Sequence, residues 1–296
     1  MKSYRNILGN RFAGFCCCAL LALAMLVLPT SAQAFEINLN KLKNTATKIK
    51  RATGEMPQEE EVEIGGLVTS NLLGAAPLVD SADVQAYVNK IGLWVALQSE
   101  RPNLPWRFGV IDSDNINAFA APGGYIVMTR GLFMSLNSEA ELAGVLGHEI
   151  GHVVRKHHLE ALKKNARLDL FGDVLQVAAK KKNKKERKRL DKVINAGTQL
   201  YARGLDREDE FEADRLGVVY AARAGYDPYA LLNVLTTLDS MNAASPQLGL
   251  LTKTHPPFAL RLQQLDGVMD ARLNPYAGQL LLPERLAQMQ FGLVGK

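Results

Sequence analysis

The chain has 296 residues, 47% of them apolar and 22% charged, which is enough for one large or two small domains with an ordinary core. Three of its positive charges, Lys2, Arg5 and Arg11, lie in the first 34 residues, and setting that segment aside takes the formal net charge from +5 to +2, so no nucleic-acid partner is implied. All three cysteines, Cys16, Cys17 and Cys18, lie there too, which excludes disulfides, thiolate metal ligands and a cysteine nucleophile from the remainder.

Residues 1 to 34 read as a secretory signal peptide: a basic start, an apolar run at 12 to 28, the breaker Pro29, and Ala32-Gln33-Ala34 as a cleavage site that leaves Phe35 first. The alternative is a retained anchor, since seventeen apolar residues reach the lower limit for crossing a bilayer. Ala13-Gly14-Phe15 does not fit a lipoprotein site. Residues 35 to 58 are a polar lead-in, 59 to 272 the main domain, and 273 to 296 a C-terminal tail.

Over residues 80 to 98, Val84, Tyr87, Val88, Ile91, Trp94 and Val95 recur at helical spacing behind Asp80 or Ser81 as N-cap. After Pro102 and Pro105, the alternation of Trp106, Phe108 and Val110, then residues 116 to 119, the Pro122-Gly123-Gly124 turn and residues 125 to 128, predict a small antiparallel sheet. Ser138, with Glu141 three residues on, is a capping box that opens a helix through Leu142, Val145, Leu146, Ile150 and Val153. The run KKKNKKERKR, from Lys180 to Arg189, reads as a solvated face or as a contact for anionic lipid headgroups or acidic partners. A helical pattern resumes near Val193 and continues through an acidic stretch to Ala224. A further amphipathic helix, a loop at 243 to 246 and a last core helix opened by His255-Pro256-Pro257 follow.

The chemistry lies in Gly147-His148-Glu149-Ile150-Gly151-His152, which contains H-E-x-x-H. Residues four apart share one helix face, so His148 and His152 can both reach one metal ion, with Glu149 beside them as general base. The helical screw carries His157 and His158 off that face, which predicts solvated helix-end residues. Gly144, Gly147 and Gly151 imply close approach of another helix or of a substrate backbone. A catalytic zinc needs a third protein ligand. Of the six carboxylates at 206 to 214, the pairs Asp206/Glu210, Glu208/Glu212 and Glu210/Asp214 are all four apart, and His255 is the remaining distant histidine.

H-E-I-G-H, the later D-R-E-D-E-F-E-A-D-R-L-G, T-H-P at 254 to 256, and the segment 117 to 124 with 129 to 132 behind it resemble metallopeptidase family 48, in its soluble periplasmic subgroup. The resemblance implies an α+β, mostly helical zincin-like domain with the small sheet beside the active-site helix. It implies one Zn²⁺ per chain on His148, His152 and Glu210, with Asp214 supporting a ligand and the other four acids largely replaceable. Glu149 is the implied catalytic base, and His255 either stabilises the oxyanion or closes the resting site as an extra ligand. Substrate would lie along Asn117, Ala118, Phe119, Ala120 and Ala121. The implied function is endoproteolysis of unfolded or misassembled envelope proteins, including outer-membrane barrel proteins and their assembly machinery, in the periplasm or at the inner face of the outer membrane. The alternative is a chaperone or assembly factor with a latched zinc site. Fewer than 34 residues follow the last core helix, too few for the tetratricopeptide repeat that one subgroup member carries.

Overall fold

The computed structural model describes residues 56–165, 204–241, 245–269 and 272–294, all within one unit, Thr53–Lys296. The signal peptide, nearly all of the lead-in and the basic run at 180 to 189 lie outside the described residues.

Helix α1 (Gln58–Ala75) opens behind Pro57 with Glu59, Glu60 and Glu61 in its first turn, where the helix dipole favours negative charge. Helix α2 (Ala82–Ala96) takes Ser81 as its cap: the side chain accepts from Val84 N–H. Val84, Val88, Ile91 and Val95 enter the core, whereas Trp94 stays 50% exposed and donates its indole N–H to Ala224 O.

Strands β1 (Arg107–Ile111), β2 (Ala118–Ala121) and β3 (Tyr125–Thr129) form one sheet in the order β1-β3-β2. The sheet is mixed and not antiparallel throughout. β2 pairs antiparallel with β3 across a turn with positive φ at Gly123 and Gly124, and β1 takes the other side of β3 in parallel register. Alternation reports which face of a strand is buried, not which neighbour it pairs with, so the sequence pattern carried no sign of this.

Short helix α3 (Arg130–Ser135) leads into α4 (Glu139–Arg155), which is buried at every position from Glu139 to Val154. Ser138 caps it by accepting from Glu141 N–H at 3.1 Å, while the Glu141 carboxylate reaches Asn137 N–H at 2.6 Å, one residue before the partner a capping box would use. Lys156 then turns the chain with φ 61°, and α5 (His157–Asn165) begins.

The acidic stretch does not continue an earlier helix within the described residues. Gly204 has φ 80°, and α6 (Arg207–Arg223) starts afresh after Asp206. Helices α7 (Ala230–Ser240), α8 (Leu251–Thr254) and α9 (Phe258–Asp266) follow. Residues 273 to 294, expected as a tail, contain α10 (Pro283–Phe291), and Leu286 and Leu293 are buried in the main apolar cluster. Among the described residues no helix is long and apolar enough to cross a membrane.

Helices α4 and α6 make the most extensive helix pair. A Cβ on Gly147 would lie 2.9 Å from Gly217 O, and one on Gly217 would lie 2.8 Å from His148 N. Two glycines facing each other therefore let the backbones touch, and the close approach read from the sequence is that of a helix.

Candidate active site

His148, Glu149 and His152 project from the C-terminal half of α4, Glu210 and Asp214 from the first turns of α6, and all five are at most 5% exposed. His148 Nε2 lies 3.1 Å from His152 Nε2, near the ~3.3 Å that two nitrogens on one tetrahedral zinc would take. Glu210 Oε2 is 3.7 Å from His148 Nε2, and Oε1 is 3.6 Å from His152 Nε2. These three side chains each offer one atom to a common centre, all within 4.8 Å of one another.

The outer face of His148 is tied down. Its Nδ1 lies 2.9 Å from Asp214 Oδ1, and Arg261 Nε donates to Asp214 Oδ2 at 2.8 Å. Burial opposes ionisation of Asp214, yet the Arg261 guanidinium and the His148 hydrogen bond outweigh it and hold this carboxyl well below its usual range. With Asp214 charged, the neutral His148 donates its Nδ1–H, which turns the Nε2 lone pair inward.

The other carboxylates behave in the opposite sense. Burial pushes Glu149 and Glu210 each up to about 8, while burial holds His148, His152 and His255 neutral by lowering them. Arg261 is already committed to Asp214. Glu210 Oε2 is buried and accepts no hydrogen bond among the described residues. Two inward imidazole nitrogens and a carboxylate oxygen without a partner make a nitrogen and oxygen donor set of the kind a divalent metal takes, so the residues fit such an ion.

His255 is extended (φ −120°, ψ 155°), as a residue before proline is held. Its Nδ1 faces Thr254 Oγ1 at 2.9 Å and Leu251 O at 3.3 Å, and its Nε2 lies 3.5 Å from Glu210 Oε2. A depression lined by Asn117, Ala118, Phe119, Glu149, Glu210 and His255 opens onto the group. A second, apolar one runs from Glu149 and His255 towards Leu132, Val145, Leu231 and Leu235. Ala120 and Ala121, expected beside the substrate, do not line either; both are buried, and Ala121 packs with Ile64 and Leu159.

Three residues stand differently from their sequence reading, or escaped it. His157 is 6% exposed and not solvated, and His158 packs its ring against His152 with centroids 5.2 Å apart. The extrapolated screw fails because α4 ends at Arg155 and Lys156 turns the chain before them. Arg261 was not singled out, although one arginine between Leu260 and Leu262 on an amphipathic helix was a signal that something acidic faces it from the core.

A buried helix carrying H-E-x-x-H, faced by a carboxylate from a second helix, defines a metallopeptidase domain. Residues 82–269 match the model of peptidase family M48, and the chain belongs to that family. It is 28% identical over 237 residues to a beta-barrel assembly-enhancing protease of Escherichia coli O157:H7, covering 79% of this chain and 48% of the relative. A protein of the same name from Yersinia pestis is 29% identical, over 80% of this chain and 50% of the relative. The mitochondrial metalloendopeptidase OMA1 of Arabidopsis thaliana is 33% identical, over 54% of this chain and 31% of the relative. The chain thus spans about half the length of the first two.

Proposed function

We propose that the protein is a zinc-dependent endopeptidase for unfolded or misassembled envelope proteins, acting in periplasmic or outer-membrane quality control. The observation that carries this reading is the buried convergence of His148, His152 and Glu210 with Glu149 lining the same depression. The names of the bacterial relatives support the cellular role, and the signal-like residues 1 to 34 support export.

In this reading His148, His152 and Glu210 hold the zinc. When bound, zinc polarises the scissile carbonyl and acidifies water. Glu149 takes the proton from an attacking water and delivers it to the leaving amine, so no free hydroxide or amide anion forms. Asp214, fixed by Arg261, keeps His148 in the tautomer that presents Nε2. The peptide lies extended beside Asn117, Ala118 and Phe119 on the outer strand of the sheet, where main-chain pairing gives weak sequence preference. The run at 180 to 189 would hold the enzyme near anionic headgroups.

Replacing Glu149 by Gln tests the reading. Cleavage of casein should fall by roughly 10²- to 10⁴-fold while zinc stays bound, and cleavage at the original rate would refute the assignment. The nearness of His255 Nε2 to Glu210 also favours a second reading, in which His255 latches the site and the protein works as a chaperone. Full rescue of a deletion phenotype by the Glu149→Gln protein would favour that alternative.

A further inference from the structure

His157 lies beyond α4 yet faces back into the site. Lys156 donates its N–H to His152 O and Val153 O in the left-handed cap, so the chain turns there and α5 begins under His152. The Nδ1 atoms of His157 and His152 are 3.0 Å apart, and the rings meet edge to face at 74°. On its other side, His157 Nε2 is 3.4 Å from Glu212 Oε2 and 3.7 Å from Asp209 Oδ1, both on α6. Arg155 Nε in turn holds Glu212 Oε1 at 2.9 Å.

Two ring nitrogens 3.0 Å apart require one to donate and the other to accept. His152 Nε2 points at the common centre, 3.1 Å from His148 Nε2. A lone pair there places the hydrogen of His152 on Nδ1, which makes His157 Nδ1 the acceptor. His157 then carries its own hydrogen on Nε2, the atom that faces the two carboxylates. Each hydrogen in the chain is assigned by the one before it.

From this geometry we infer that His157 is a positioning residue for His152, and that Glu212 and Asp209 orient His157. The inference rests on the reading of His152 as a metal ligand. It gives His152 what Asp214 gives His148, a fixed tautomer and a fixed ring, with an imidazole interposed before the carboxylate. It also gives two of the four acids expected to be replaceable a defined task.

The test is the affinity of the full chain for Zn²⁺, by competition with a chromophoric chelator, and the visible spectrum of its Co²⁺ form. His157→Phe keeps the ring and removes both nitrogens, and should weaken zinc binding by roughly 10- to 100-fold and change the Co²⁺ bands. His157→Asn, whose amide oxygen can stand at the Nδ1 position, should restore most of the affinity, whereas His157→Gln, whose amide reaches the Nε2 position, should not. A folded Phe variant with wild-type affinity and spectrum overturns the inference. If the Phe variant does not fold, equal zinc affinities for Asn and Gln overturn it. Wild-type protein that binds neither ion would remove the metal-centre reading and this inference with it. Tight wild-type binding without a His157 effect removes the inference alone.

Discussion

At the scale of single residues, the site separates carboxylates by environment. Asp214 is hydrogen-bonded by Arg261 and His148 and stays charged; Glu149 and Glu210 are held up by burial, which outweighs the weaker pull of the Arg261 charge on them. Arg261→Met would leave Asp214 buried without its cation and should destabilise the fold by about 3–5 kcal/mol in urea titration. Adding Asp214→Asn to that variant should return part of the loss. A simpler case is Glu141 at the start of α4. Burial raises its carboxyl above the ordinary 4.5, against the opposing pull of the Asn137 hydrogen bonds. Below pH 4.5 the group is protonated in both states. As pH climbs from there through the folded value, the unfolded chain loses its proton first, so stability falls over that window. Glu141→Gln should remove this fall, read as unfolding free energy against pH.

At the scale of elements, the pairing of α4 with α6 brings the two halves of the motif together. The helices touch backbone to backbone at Gly147 and Gly217; His148 and His152 follow Gly147 by one and five residues, and Glu210 lies two turns before Gly217. Gly217→Ala gains about 0.8–1 kcal/mol of helix propensity and loses about 1–3 kcal/mol to overpacking against His148 N. Net destabilisation is expected, together with weaker zinc binding, because the inserted methyl forces Glu210 away from His148. A rise in the urea midpoint with unchanged zinc affinity would show that the helices have room to spare. The break at Lys156 is the other decisive local event, since it returns His157 to the site.

At the scale of the molecule, the main core gathers α2, the sheet, α6, α7, α9 and α10 around the buried helix α4, so the candidate metal site and the fold share their supports. An ion that binds only the folded chain stabilises it, by about 2.7 kcal/mol at a hundred times its dissociation constant. Zinc should therefore raise the urea midpoint and a chelator should reverse the gain. Glu210→Gln should lose most of the increment, and Glu208→Gln should keep it; the reverse pattern would mean that another face of α6 holds the ion.

What the sequence determined by itself was set by near neighbours along the chain. The Ser138 cap, the Gly123-Gly124 turn and the His148/His152 spacing depend only on residues within about one helical turn or one hairpin, and they stand where the pattern put them; of the two caps open for α2, the structure uses Ser81. Glu210 and Asp214 needed more. Their spacing left three equivalent pairs, the family resemblance selected one, and the glycine contact between α4 and α6 turns that pair towards the histidines. The mixed sheet, the partnership of Arg261 with Asp214 and the anchoring of α10 through the buried Leu286 were decided by tertiary structure alone. Each depends on which surfaces meet across long separations in the chain, and no local periodicity encodes that choice.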